Sequence, residues 1–384
     1  MKRMIKNFSV CATLIIVASI VLTGCPTPPP INEGGLENGS TLSGTLTQDV
    51  TLTKGNTYYL DGEYIVPEGI TLNIEEGVTI IAKYDDIVDY LLVKQGGKIN
   101  AVGTADAPIV MTSEKKESGA WGGIHLCGKA RTNAEGGTGS SEIGGAPYGG
   151  TEDNDNSGCL SYVRVEYTGY AFDEEHEANG ITFYAVGNGT VVDHCEAYMG
   201  ADDGFEWFGG CVNVSYLVAK NCSDDSFDWT EGWTGNASYL VAYQENAETL
   251  GYDCDCLIEA DNNENNYIAN PTSHPIISNA TLVGNGGAKQ GIRLRRGTQV
   301  NLATITVCGK GIPVSVESAE TEQALVDGVS SMKNVTASAE LTSEKGIYTN
   351  DNFINDGNKV DASLSLSYDD ILKNNSWMSG AWVK

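Results

Sequence analysis

The chain has 384 residues, with 23 Lys and Arg against 51 Asp and Glu, for a formal net charge of −28. Repulsion and unfavourable counterion release both oppose a polyanion on such a surface, so nucleic acid is excluded as a partner. Hydrophobic residues at 41% exclude global disorder, while 46 glycines point to many tight turns.

In chain order, Lys2, Arg3 and Lys6 precede an apolar run from Val10 to Leu22, too short to span a bilayer and of signal-peptide length. The run ends in Leu22-Thr23-Gly24-Cys25, which resembles the bacterial lipobox. The resemblance implies cleavage before Cys25, lipid on its thiol, and a membrane partner reached through that anchor. Residues 1–24 therefore read as a lipoprotein signal peptide. Residues 25–38, opening with Pro26-Thr27-Pro28-Pro29-Pro30 after the Cys, read as a Pro-rich tether. Pro26 rather than Asp follows Cys25, which points to the outer membrane or cell surface. Of the 10 cysteines, those beyond Cys11 and Cys25 are even in number, which permits disulfides in an exported protein. Cys254-Asp255-Cys256 is too tight for a zinc knuckle, and the 4 histidines are scattered.

From Thr41 onward, short β-rich runs alternate with Gly, Asn and Asp turns: Thr45–Leu52, Thr57–Val66, Ile70–Ala82, Tyr90–Ala101, Ile109–Thr112. Internal repeats decide the architecture. Asn213-Val214-Ser215-Tyr216-Leu217-Val218-Ala219 recurs from Asn236 to Ala242, and Asp202-Asp203-Gly204-Phe205-Glu206-Trp207 recurs from Asp224 to Trp229. An offset of about 22–23 residues fits one coil of a β-helix, whose coils bury their apolar sides by stacking. Gly103 to Ser113 and Ala120-Trp121-Gly122-Gly123-Ile124 resemble the opening region of exported proteins of the pectin-lyase-like superfold. Ser161 to Tyr167, Gly180 to Gly187, both Asp-Asp blocks and Trp377 to Trp382 are similar to a group of bacterial surface β-helix lipoproteins. The resemblance implies an all-β, right-handed parallel β-helix in a single elongated domain of ~11–12 coils. Its body spans 39–340 and its C-terminal end or cap 341–384. An architecture of this kind leaves function open.

The paired Asp-Asp blocks are the sharpest chemical feature. If Phe205, Trp207, Phe227 and Trp229 point inward, alternation turns Glu206 and Asp228 outward, and stacking makes an acidic ladder with Asp202, Asp203, Asp224 and Asp225. Like charges on neighbouring strands repel, so a cation, raised pKa values or turn hydrogen bonds must offset them. Three functional readings follow: a Ca²⁺ site at Asp202, Asp203, Asp224 and Asp225; a carbohydrate-binding strip with Glu206, Asp228, Trp233, Arg293 and Arg295; and a polysaccharide lyase or glycoside hydrolase using Asp202, Asp203, Asp224 and Asp225 as catalytic groups. Against them stands plain turn chemistry. Hydrolases of this superfold often carry a downstream His and an Arg-x-Lys strand. Arg293-Leu294-Arg295-Arg296 echoes the latter, several coils from the ladder, but His194 and His274 do not occupy the matching place. Asp153-Asn154-Asp155-Asn156-Ser157-Gly158 resembles the first half of a Ca²⁺ loop, with Asp153 and Asp155 as ligands. Arg164 at the twelfth position excludes an EF-hand. The Gly-rich 131–158 and Asn-rich 245–275 stretches read as excursions from the coils, where Tyr148, Tyr170, Phe172, Trp233, Tyr252 and Tyr267 offer aromatic contacts. The reading adopted is a lipid-anchored surface protein that binds a polysaccharide or a surface protein, with Ca²⁺ assisting. An enzyme and an envelope spacer are the alternatives.

Overall fold

The computed structural model describes residues 36–85, 87–172 and 177–384, so the leader and Cys25 lie outside the described residues. Parallel strands stack in register from coil to coil, giving a 24-stranded parallel β-helix of about eleven coils. Each coil contributes to three faces. The first and second faces are the two halves of long strands such as Gly158–Glu166, Val191–Tyr198, Asn213–Lys220 and Asn236–Tyr243. The third face is built from short strands: Ile181–Tyr184, Phe205–Phe208, Phe227–Thr230, Ile258–Ala260, Gln290–Leu294 and Ile312–Val316. No described helix is long and apolar enough to cross a membrane.

The repeats read from the sequence are one coil apart in space. Leu217 pairs with Leu240, Phe205 with Phe227 and Trp207 with Trp229. The long strands bend at non-glycine residues with positive φ, including Tyr162, His194, Tyr216 and Tyr239. That backbone is unfavourable for bulky side chains. Ring stacking compensates, at 4.4 Å for Tyr162–His194, 4.4 Å for His194–Tyr216 and 4.7 Å for Tyr216–Tyr239. Farther along the stack the same corner carries Asn279 and Asn334, and asparagine tolerates this conformation.

Two expectations need correction. Trp233 is a core residue and not a surface binding residue: it is fully buried, stacks on Trp207 at 4.5 Å, and donates its indole N–H to the Val212 carbonyl at 3.2 Å. The C-terminal segment, expected as an end cap, does two jobs. Its first part closes the stack with Leu341, Tyr348 and Phe353 in the core and the last pairings at Thr342–Ser343 and Lys359–Val360. The rest returns along the second face, where Ile371, Met378 and Trp382 pack with Val218, Val241, Val283 and Cys308. There the Ala381 N–H donates to the Ala105 carbonyl at 2.7 Å, and Arg164 donates to the Ala381 carbonyl at 2.7 Å. Trp382→Ala should therefore destabilise the whole stack by roughly 3–5 kcal/mol, read as a lower denaturation midpoint.

Cys127, Cys195, Cys211, Cys222, Cys254, Cys256 and Cys308 are free thiols, and all but Cys211 are buried. They pack as small hydrophobes.

Candidate functional site

Alternation along the third face sets the site. With Phe205, Trp207, Phe227 and Trp229 buried inside, the outward positions align in register as Thr182, Glu206, Asp228, Glu259, Arg293 and Ser315. Consecutive rungs are about 4.8 Å apart, so three carboxylates follow one another and an arginine comes next. The preceding turns add Asp202, Asp203, Asp224 and Asp225. Part of their work is turn chemistry: Asp203 Oδ1 accepts the Asp225 N–H at 2.8 Å, and Asp225 Oδ1 accepts the Cys256 N–H at 2.6 Å. Each aspartate thereby fixes the turn of the next coil.

Turn chemistry does not account for the remaining oxygens. They converge with Glu142, Glu177, Asn179, Asp255, Arg293 and Arg295 on a cleft of about 380 Å³. Asp202, Asp203, Glu206 and Asp225 are each less than a tenth exposed. Burial, followed by repulsion from neighbouring carboxylates, pushes Asp202, Asp203, Glu206, Asp225 and Asp228 well above the usual carboxylate range. The same causes lift Asp224 to about 6. Glu259 is raised by burial, against the pull of Arg295 and Arg293.

Three overlapping groups hold carboxylate oxygens within 4.8 Å of one another: Asp202, Asp203 and Asp224; Asp203, Glu206 and Asp228; Asp225, Asp228 and Glu259. Asp228 Oδ1 and Asn179 Oδ1 in this cleft have no hydrogen-bond partner among the described residues. Asn179 is 1% exposed and donates its Nδ2 to Glu206 at 2.5 Å, so its amide oxygen is a buried acceptor without a donor. An unpaired buried acceptor costs about 1–3 kcal/mol. A hard cation, which takes carboxylate and amide oxygens, would satisfy these orphans and the surplus charge together.

The family model for a pectate-lyase-like β-helix domain matches residues 44–383. The chain belongs to the pectate-lyase-like β-helix family. No curated protein and no solved structure matched it.

In this β-helix protein the arginines do not sit several coils from the ladder, as the sequence suggested. Arg293 is one rung from Glu259 and two from Asp228, because the 245–275 stretch, expected as a pure excursion, contains the coil strand Ile258–Ala260 and loops out on either side of it. Arg293 Nη1 meets Glu259 at 2.9 Å and its Nε meets Glu317 at 3.1 Å, while Arg295 meets Asp261 at 2.8 Å and also pairs with Glu259. Burial works against both charges, but Glu317, Glu259 and Asp261 outweigh it and push both guanidinium pKa values up.

Asp153 and Asp155, expected as the ligands of a cation turn, do not converge. Asp153 pairs with Arg131 at 2.5 Å, which already neutralises it, and Asp155 points to Ser157 Oγ at 3.5 Å. Neither lines the cleft. Among the described residues no imidazole lines it either: His194 is in the tyrosine stack and His274 contacts Asn301 at 3.0 Å. Of the loop aromatics, Tyr148 is buried and donates to Glu231 at 2.8 Å, and Tyr252 donates to the Asn221 carbonyl at 2.7 Å. Tyr170, Phe172 and Tyr267 remain exposed. Sequence reasoning missed Glu142, Glu177, Asn179, Asp255 and Glu259. Glu259 alone had a signal, since it stands where Glu206 and Asp228 stand in the preceding coils.

Proposed function

We propose that this protein is an exported surface lipoprotein, anchored through Cys25, that binds Ca²⁺ in the acidic cleft and through it an acidic polysaccharide. The orphaned Asn179 oxygen inside a ring of carboxylates carries the reading. A polyanion cannot approach the bare cleft, but a bound divalent ion inverts the local sign and keeps coordination positions for sugar carboxylates and hydroxyls. A lyase or hydrolase reading needs a base or acid placed for the reaction. Both cleft arginines are held charged by their ion pairs, which leaves a lyase without a free arginine base. The raised carboxyls are candidate acids for a hydrolase, a reading that release of sugars separates from binding. A spacer role leaves the unpaired oxygens unexplained.

Binding of the purified protein to immobilised polygalacturonate and alginate, with Ca²⁺ and with chelator, tests this. Ca²⁺-dependent retention that disappears in Asp203→Asn/Asp228→Asn is the expected result; retention indifferent to chelation would overturn it. Release of shortened sugars, abolished by Asp203→Ala, would establish the enzyme instead. Cys25→Ser should move the protein from the membrane fraction to the soluble fraction.

A further inference from the structure

Beside the cleft, the turns that follow two adjacent coils are held one rung apart. The Gly284 N–H donates to the Cys308 carbonyl at 2.8 Å and the Gly286 N–H to the Gly309 carbonyl at 2.5 Å. Between these turns lies Lys310, only 4% exposed. Its stem lies flat over Gly284, where a Cβ would meet the lysine Cγ at 2.5 Å and its Cδ and Cε at 2.8 Å. Only glycine leaves room for it. The Lys310 Nζ bonds to two neutral oxygens, the Cys254 carbonyl at 2.8 Å and Asn285 Oδ1 at 2.8 Å. Among the described residues no carboxylate comes within ion-pair distance of it. A buried ammonium without a counter-charge is costly, and burial holds its pKa below the usual lysine value. On the far side of the carboxamide, Asn285 Nδ2 donates to Asp253 Oδ1 at 2.8 Å.

An amine, a carboxamide and a carboxylate are therefore in line, with the amine hydrogen-bonded to the oxygen attached to the carbon it would attack. We propose that Lys310 and Asn285 join in an intramolecular amide bond, assisted by Asp253, which ties the two coils covalently. The lone pair of the uncharged Nζ attacks Asn285 Cγ, and the carbonyl π pair moves onto Oδ1. Attack brings Nζ onto the carbon that carries Nδ2, and only then does the Asp253 carboxylate, already hydrogen-bonded to Nδ2, take the Nζ proton and deliver it to Nδ2. The Cγ–Nδ2 bond breaks, ammonia leaves, and the Nζ–Cγ amide remains. No oxidant or cofactor enters the balance. Fixed proximity and general acid–base assistance are the two effects that make such a slow exchange accessible. The product removes a buried charge and replaces two hydrogen bonds by a covalent rung at the base of the 245–275 excursion, which supplies Asp255 and Glu259 to the cleft.

Mass spectrometry of the purified full chain decides the matter. The expected result is a pair of peptides containing Asn285 and Lys310 joined with loss of about 17 Da, one ammonia, together with resistance to trypsin at Lys310. Asp253→Ala should contain both residues unlinked, with the cation response of the cleft intact. Lys310→Met and Asn285→Ala should show the unmodified mass. Unlinked Asn285 and Lys310 peptides from fresh and from aged wild-type protein would overturn the proposal and leave only a hydrogen-bonded turn.

Discussion

In the presence of chelator, the thermal midpoint of the protein is expected to fall as the pH rises from about 4 to 8, and saturating Ca²⁺ is expected to remove most of that fall. In an unfolded chain the cleft carboxyls ionise near 4. In the folded protein Asp224 waits until about 6, and burial and mutual repulsion hold Asp202, Asp203, Glu206, Asp225 and Asp228 well above the usual carboxylate range. The folded state thus binds more protons than the unfolded state across this window, so stability declines with rising pH. The stabilisation is complete below the unfolded value and is lost as the pH climbs through the folded values. Outside the cleft, burial also lifts Asp89 to about 7 and Glu196 to about 8 and raises Asp155 and Glu231, in the same direction, while buried His125, lowered to about 4, and His274 act against them. They do not respond to Ca²⁺, so the difference between the chelated and Ca²⁺-loaded curves isolates the cleft. A shift of several degrees is the scale to look for in differential scanning calorimetry. A chelated midpoint that stays flat or rises between pH 5 and 8 would refute the proposed electrostatics.

The double substitution Asp203→Asn/Asp228→Asn is expected to act with opposite signs in the two conditions. Without cation it relieves the repulsion inside a cleft whose members include Asp202, Asp225, Glu206 and Glu259, and the midpoint should rise. With Ca²⁺ at a hundredfold excess over Kd, the wild type gains about 2.7 kcal/mol and the variant gains essentially none. Asparagine keeps the oxygen that accepts the Asp225 N–H, so the turn survives. Asp203→Ala loses that bond as well and should be about 1 kcal/mol less stable than Asp203→Asn in both conditions. If turn chemistry were the whole role of these aspartates, the amide pair would be silent with and without Ca²⁺, and only the alanine variant would differ from wild type.

The coil architecture was legible because a solenoid writes its geometry into its sequence. One coil repeats at a fixed offset, and the inward Phe205, Trp207, Phe227 and Trp229 recur at that offset. The same period exposed the outward Glu206 and Asp228, since alternation along a strand follows from the backbone alone. Trp233 was misplaced because it falls after the repeated block, where period gives no orientation. Its position in the core depends on the indole of Trp207 beneath it and on the Val212 carbonyl that accepts its N–H. The C-terminal tryptophans had a family likeness but no partner in sequence. Their place on the second face is set by Tyr162, His194 and Tyr216, more than a hundred residues earlier.

The sequence by itself determined the stacked-coil fold, the inward aromatic and outward acidic lines of the third face, and the pairing of the two Asp-Asp turns, because each follows from strand periodicity and a repeat of one coil. Only the tertiary structure decided that the ladder is the floor of a cleft. Its walls come from Glu142, Glu177, Asn179 and Asp255, and the excursion between Asp228 and Arg293 folds out and returns so that Glu259 and the arginines complete the line. Loop length carries no information about where a loop returns. Burial by those walls is what raises the carboxylate pKa values and leaves the Asn179 oxygen without a donor.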